Sequence, residues 1–301
     1  MAGCGCLSRP FPSCGYFKCA RAPLRLAIAE DAPAGIGFRV WRAALILCRY
    51  LEQEESVGGG PVRGRSVLEL GSGAGLVGLL CAHLGAAAVT LSDQETVLPI
   101  TRHNAELNRP SLATGAVVRV QEVHWGRDVR RVLPRGSFDL IVGSDLTFFE
   151  HLHRQLLLTL LQIISEDTEV LLAHARRKRE FDRWEAVFEP YFDIEAISTD
   201  DELRASGALK ESPEGVWGTT LCSAEERVPV TIFRLRLRGL PPSHAELSGL
   251  LGAEQDESCE AILTRLALLE SDLDTIEAEG SEDPGPACVP GSSAERAQSV
   301  G

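Results

Sequence analysis

Residues 67–80, VLELGSGAGLVGLL, commit the chain to a buried strand that turns through three glycines into an apolar helix. Such a unit cannot cover its own apolar surface and needs parallel strands beside it with helices on both faces. The sequence that follows supplies them. Short apolar runs at Ser66–Leu70, Ala88–Ser92, Val117–Val123, Phe138–Gly143 and Glu169–Ala173 alternate with helical patterns at Ala74–Leu84, Thr96–Leu107, Glu150–Ile164 and Lys178–Tyr191. This predicts an α/β domain built on a mostly parallel sheet. The end departs from the alternation: Asp193–Ser198 and Val228–Leu237 flank a long polar segment. They read as a hairpin whose last strand runs antiparallel at the sheet edge.

The glycine turn has a chemical preference. Gly71, Gly73 and Gly75 are spaced G-x-G-x-G, and Leu76 stands where a dinucleotide fingerprint has its third glycine. A pyrophosphate would also be repelled by Glu69, two residues before the first glycine. A carboxylate there suits a nucleoside carrying an ammonium and a sulfonium, as S-adenosylmethionine does. Asp93 ends the next strand, about 20 residues on, where an acid accepts hydrogen bonds from ribose hydroxyls. The glycine turn alone is equally a tight strand-to-helix turn; with Glu69 and Asp93 at neighbouring strand ends it reads as a cofactor site.

The blocks GFRVWRAALILCRYL, VLELGSGAGLVGL, LSDQETVLPITRHNAELN, VHWG and GSDLTFFE follow one another in that order. In them the chain resembles the family 16 methyltransferases, whose characterised members mostly modify protein lysines, over roughly Arg25 to Leu237. The resemblance implies a seven-strand, Rossmann-like sheet with helices on both faces and an antiparallel terminal strand. Block by block, it implies that Trp41 helps enclose the cofactor, that Gly71, Ser72 and Gly73 form the cofactor loop, and that Asp93 binds the ribose. It places Trp125 against the adenine and Ser144 at the small position before the substrate-side motif. On the residues alone, Trp125 is as readily core as stacking platform, and Trp41 reads as core.

That substrate-side motif, D/E-x-x-Y/F in the family, is Asp145-Leu146-Thr147-Phe148 here. It follows the strand FDLIVGS, at the edge where open α/β sheets bind ligands. At that motif Asp145 is expected to accept a hydrogen bond from the acceptor amine, and Phe148 to form an apolar, cation–π wall. Read without it, Asp145 is a helix N-cap. No G-x-S-x-G elbow accompanies Ser72, so a serine hydrolase is not indicated. His103, His124 and His174 are dispersed and read as surface or structural.

The flanks differ from this core. Residues 1–24 are rich in small side chains without clear period, and no acid precedes Glu30. A cytoplasmic location is expected, with an organelle transit peptide as the open alternative. Cys4, Cys6, Cys14 and Cys19 do not follow a well-attested zinc spacing, so unpaired thiols in a mobile arm are expected, with no metal. Residues 25–238 are expected to form the methyltransferase domain that the resemblance implies. From Gly239 on, 13 Asp and Glu stand against Arg265 and Arg296, so this acidic tail carries −11 of the net charge of −13. Cys259, Ile262, Leu266, Leu269, Leu273 and Ile276 mark one amphipathic helix at about 256–279, for a partner or for packing on its own domain. Past Glu279 the composition predicts disorder. Arg176–Arg179 read as a solvated helix start, and Trp217, in the stretch 199–227, as a loop aromatic. The acidic balance disfavours nucleic acid, and no apolar run is long enough to span a membrane. The expected function is methyl transfer from S-adenosylmethionine to a protein side chain, most readily lysine, of a cytosolic protein. A small-molecule methyltransferase and a non-catalytic interaction protein of this fold are the alternatives.

Overall fold

A computed structural model of the chain describes residues 13–18, 25–30, 35–112, 115–176, 184–208, 228–243 and 245–247. The first two strands, β1 (Ser13–Lys18) and β2 (Arg25–Glu30), pair antiparallel as a separate two-stranded sheet. The expected boundary at residue 25 therefore falls between two paired strands, and the segment read as a mobile arm contributes one of them.

Seven further strands form one sheet: β3 (Ser66–Leu70), β4 (Ala88–Asp93), β5 (Val117–Glu122), β6 (Leu140–Ser144), β7 (Glu169–Ala175), β8 (Phe192–Thr199) and β9 (Val230–Leu237), in the order β5-β4-β3-β6-β7-β9-β8. The first five pair parallel, and β9 is antiparallel to both neighbours. The hairpin and the antiparallel final strand are as expected, but the edge is not. β9 is inserted between β7 and β8, and β8 is outermost. Arg234 on β9 explains part of this preference: its guanidinium reaches Glu169 on β7 at 2.6 Å and Glu195 on β8 at 3.5 Å. A strand carrying that fork is best placed between the two carboxylates.

Helices α1 (Arg42–Val57), α2 (Leu76–Leu84) and α3 (Leu98–Asn108) cover one face; α4 (His153–Ile163) and α5 (Trp184–Phe188) cover the other. Alternation along β3 sorts its side chains between the layers. Val67 joins the core under α1 and α2, while Leu68 and Leu70 join the core under α4 and α5. The sheet reverses its winding between β3 and β6, so the C-terminal ends of these two strands flank its switch point, the crevice where such sheets bind ligands. No helix among the described residues is long and apolar enough to cross a membrane.

The domain does not stop at residue 238. Ser243 and Glu246 make reciprocal backbone–side-chain bonds of 2.7 and 3.3 Å, a capping box that opens a helical turn past Pro241 and Pro242. Leu247 on that turn is fully buried and joins the core that also holds Leu156 and Leu160. Leu247→Ala is expected to lower stability by about 2–4 kcal/mol, read as a lower urea midpoint with unchanged slope. A midpoint equal to wild type would show the turn to be dispensable. The helix expected at 256–279, its proposed partner contact and the tail end lie outside the described residues, as do Arg177–Arg179 and Trp217.

Candidate functional site

After β3 the chain turns sharply, and its glycines are required by contact as well as by torsion. Gly71 has φ +56°, and a Cβ there would lie 2.6 Å from Leu146 Cδ2 and 3.2 Å from Trp125 Cζ2. Gly73 has φ +50°, and its Cβ would lie 2.9 Å from the Gly37 carbonyl oxygen. Gly75 then occupies the N-cap of α2 in the left-handed region. The turn is held from the sheet and from α3. Ser72 N–H donates to Ser92 O at 2.9 Å, Thr101 Oγ1 to Gly73 O at 2.6 Å and Asn104 Nδ2 to Ala74 O at 2.8 Å.

Asp93, at the end of β4, grips the same turn. Its Oδ2 accepts the Gly73 N–H and its Oδ1 the Gln94 N–H, both at 2.8 Å. Burial pushes its carboxyl up to about 6, against the lowering effect of these two N–H groups and of nearby His124. His124, expected to be surface or structural, thus stands beside a site acid. Each Asp93 oxygen retains acceptor capacity beyond its backbone bond.

Glu69 does not match its expected role. Its side chain turns to the α2 face, is 2% exposed, and Oε2 accepts the Gly78 N–H at 2.9 Å. A carboxylate under the first turn of a helix satisfies donors the helix leaves unpaired. Glu69 therefore supports the helix behind the glycine turn and is not a surface acceptor for an ammonium. Burial raises its carboxyl to about 8, outweighing the Gly78 and Val77 N–H groups and reinforced by the charge of Asp93. The sign follows. An acid whose folded value is raised contributes stability that is complete below about 4.5 and is lost as pH climbs through about 8. Glu69→Gln should remove this slope, so its thermal midpoint, measured from pH 5 to 8.5, should fall less with pH than that of wild type. Parallel curves would disprove the assignment.

Above the turn lies the segment 35–41. Its 3-10 turn Ile36–Phe38 brings Gly37 onto Gly73, and Trp41 Nε1 donates to Ile36 O at 2.9 Å, bracing the turn. The Arg39 guanidinium carbon lies 5.5 Å from the centre of the Trp41 ring. Trp125, following β5, brings the edge of its ring to Gly71, with Cζ2 3.2 Å from where a Cβ there would lie. Within the turn the Ser72 hydroxyl is buried without a hydrogen-bond partner. A buried hydroxyl in that condition costs about 1–3 kcal/mol, which a ligand with polar atoms would offset. The turn thus fits a polar nucleoside: an indole ring beside Gly71, an acid at the ribose distance along the chain, and an unsatisfied hydroxyl.

Across the switch point, Ser144 ends β6 opposite Ala173 of β7. Asp145 follows with φ +60° and ψ +28°, the sole non-glycine at positive φ among the described residues. Left-handed backbone costs a side-chain-bearing residue about 1–2 kcal/mol, less for Asp, and persists where the surroundings enforce it. Asp145 does occupy the N-cap position of the 3-10 turn Leu146–Phe148, but its side chain makes no cap bond. The N-cap reading of this residue is therefore met in position and not in side-chain bonding. Phe148 packs edge-on to Phe149, with ring centres 4.8 Å apart. Leu146 joins the two halves: its methyl groups fill the space a Cβ would take at Gly71 and, at 2.4 Å, at Gly143.

Of the residues expected at the site, Gly71, Ser72, Gly73, Gly75, Asp93, Trp41 and Trp125 come together around the glycine turn. Ser144, Asp145 and Phe148 stand at the adjoining strand end, and Glu69 lies behind. Sequence reasoning missed Gly37, Thr101, Asn104 and Leu146. Thr101 and Asn104 carried a signal, because both are polar residues on the apolar stripe of α3 and both are fully buried.

The family model described as lysine methyltransferase matches residues 20–188 of the chain. Protein N-lysine methyltransferase METTL21A of Danio rerio is 34% identical over 196 residues, covering 65% of this chain and 86% of that protein. The Mus musculus protein of the same name is 36% identical over 168 residues, covering 56% of this chain and 74% of its own. EEF1A lysine methyltransferase 3 of Mus musculus is 36% identical over 143 residues, covering 48% of this chain and 57% of that protein.

Proposed function

Since the chain belongs to the lysine methyltransferase family, we propose that it takes a methyl group from S-adenosylmethionine to the side-chain amine of a lysine in a protein substrate. The observation that carries this reading is the adjacency of two half-sites. The Asp93-held glycine turn and the Asp145 turn flank one switch point, and Leu146 of the second packs against Gly71 of the first. Donor and acceptor groups held there would meet without a large movement.

In this reading Gly71, Ser72 and Gly73 cradle the cofactor, Asp93 accepts from its ribose hydroxyls, and Trp41 and Trp125 exclude water on two sides. Gly75 starts the helix that backs the turn, and Ser144 keeps the strand end narrow. When bound, the cofactor supplies a methyl group on a sulfonium that leaves readily. The protein must then present a lysine with its lone pair available. Neutralising a free lysine near pH 7.4 costs about 4 kcal/mol. Asp145 accepts a hydrogen bond from the amine and fixes the direction of its lone pair, while Phe148 supplies a low-dielectric wall. The buried free thiols of Cys48 and Cys81 suit the reducing cytoplasm in which such a substrate would be met.

The full chain, incubated with tritiated S-adenosylmethionine and fractionated lysate, should label protein, with mass mapping placing the methyl on lysine. Label confined to small molecules would favour the small-molecule alternative. Absence of cofactor binding by calorimetry would favour a non-catalytic interaction protein.

A further inference from the structure

The Asp145 turn is gripped from beneath by two imidazoles that neither the motif nor the proposed chemistry uses. Thr147 Oγ1 lies 2.7 Å from His174 Nδ1, and His153 Nε2 lies 2.8 Å from the Thr147 carbonyl oxygen, to which it must donate. All three residues are buried, with exposures of 4% for Thr147 and 3% for each histidine. His174 comes from β7 and His153 from the first turn of α4, so Thr147 is fixed by its side chain to the sheet and by its main chain to a helix. The residue before His174 completes the grip, because Ala173 O accepts the Asp145 N–H at 2.7 Å. β7 therefore holds the turn at both residue 145 and residue 147, on either side of the Leu146 wedge.

An apolar side chain would fill the space under the turn without the desolvation that a buried hydroxyl and two rings bring. What the polar group adds is direction, since hydrogen bonds fix orientation where packing alone permits sliding. The left-handed backbone at Asp145 is the conformation that needs such restraint. We propose that Thr147, held between His174 and His153, is a positioning residue that aims the Asp145 carboxylate at the acceptor amine. This rests on the assignment of Asp145 made above.

The test uses the full chain with S-adenosylhomocysteine bound and aspartate labelled with carbon-13 at the carboxyl. The Asp145 resonance is identified by its loss in Asp145→Asn. Thr147→Val, which keeps the shape and removes the hydroxyl, should shift that resonance, and Thr147→Ser should restore it. His174→Gln gives a second route to the same displacement should the valine variant fold poorly. Transfer of tritium from S-adenosylmethionine into lysate protein should fall at least about tenfold in Thr147→Val, with cofactor affinity unchanged within about twofold. In the Asp145→Ala background the valine substitution should have almost no further effect on rate. A resonance that stays in place, or a rate loss that multiplies fully onto Asp145→Ala, would overturn the proposal and leave Thr147 a purely structural residue. If wild type labels no protein, the lysine reading fails, while the carboxyl resonance still decides whether Thr147 positions Asp145.

Discussion

Asp93→Ala is expected to weaken S-adenosylmethionine binding at least about 100-fold, because two hydrogen bonds to a charged acceptor contribute about 1.5–3 kcal/mol each. The loss has two parts. The carboxylate presents acceptors to the ribose, and it also holds the Gly73 N–H at 2.8 Å, so the alanine variant leaves the turn itself less constrained. Asp93→Asn separates them. An amide oxygen can still accept the Gly73 N–H, so the asparagine variant should bind more tightly than the alanine variant and more weakly than wild type. Calorimetric titration is the measurement, and an alanine variant binding within tenfold of wild type would remove Asp93 from the site. The pH dependence is a second check. Burial raises the carboxyl to about 6, and binding uses the ionised form, so cofactor affinity should fall as pH drops through about 6. In Asp93→Asn that dependence should disappear.

How much of this was legible in the sequence depends on what each residue does. The glycine turn and Asp93 were readable because their spacing follows directly from one strand, one turn and the next strand. Glu69 was misread for a definite reason. A carboxylate near a strand end has the same sequence signature whether it faces a ligand or folds back on the following helix. The discriminating fact is its face: Glu69 shares the side of β3 that carries Val67 under α1 and α2. The position of β9 was not legible, because chain order does not say whether the second strand of a terminal hairpin lies outside the first or is inserted within the sheet. Here a cross-strand fork from Arg234 joins both neighbours, and such pairs cannot be assigned before the register is known. Leu247 was hidden for the opposite reason. Pro241 and Pro242 signal an end, and a single buried leucine beyond them makes no periodic pattern. The left-handed backbone at Asp145 left no trace in the sequence, since its cause is tertiary: Ala173 O, the Leu146 wedge and the two histidines beneath Thr147.

Asp145→Ala should have the opposite profile to Asp93→Ala: cofactor affinity within about threefold of wild type, and methyl transfer at least about 100-fold slower. The magnitude comes from orientation. A misplacement of about 1 Å of a reacting group costs about 100-fold, and the alanine variant leaves the amine with no acceptor to fix its lone pair. Loss of the carboxylate also removes the polar partner that helps a desolvated amine enter the site. Alanine introduces a second change, however, because it tolerates the left-handed backbone at this position less well than aspartate. Asp145→Asn avoids that complication. Asparagine adopts the same backbone and keeps an acceptor oxygen, so it should fold and bind cofactor as wild type does while transfer falls by an intermediate factor. Initial rates of tritium incorporation at saturating cofactor, set beside calorimetric affinities, measure both quantities. Equal loss of cofactor affinity in the variants at 93 and 145 would dissolve the division between a donor half-site at the glycine turn and an acceptor half-site at the end of β6. Retained affinity with transfer lost only at 145 would place the acceptor chemistry on the one non-glycine residue, among those described, whose backbone the fold holds in a left-handed conformation.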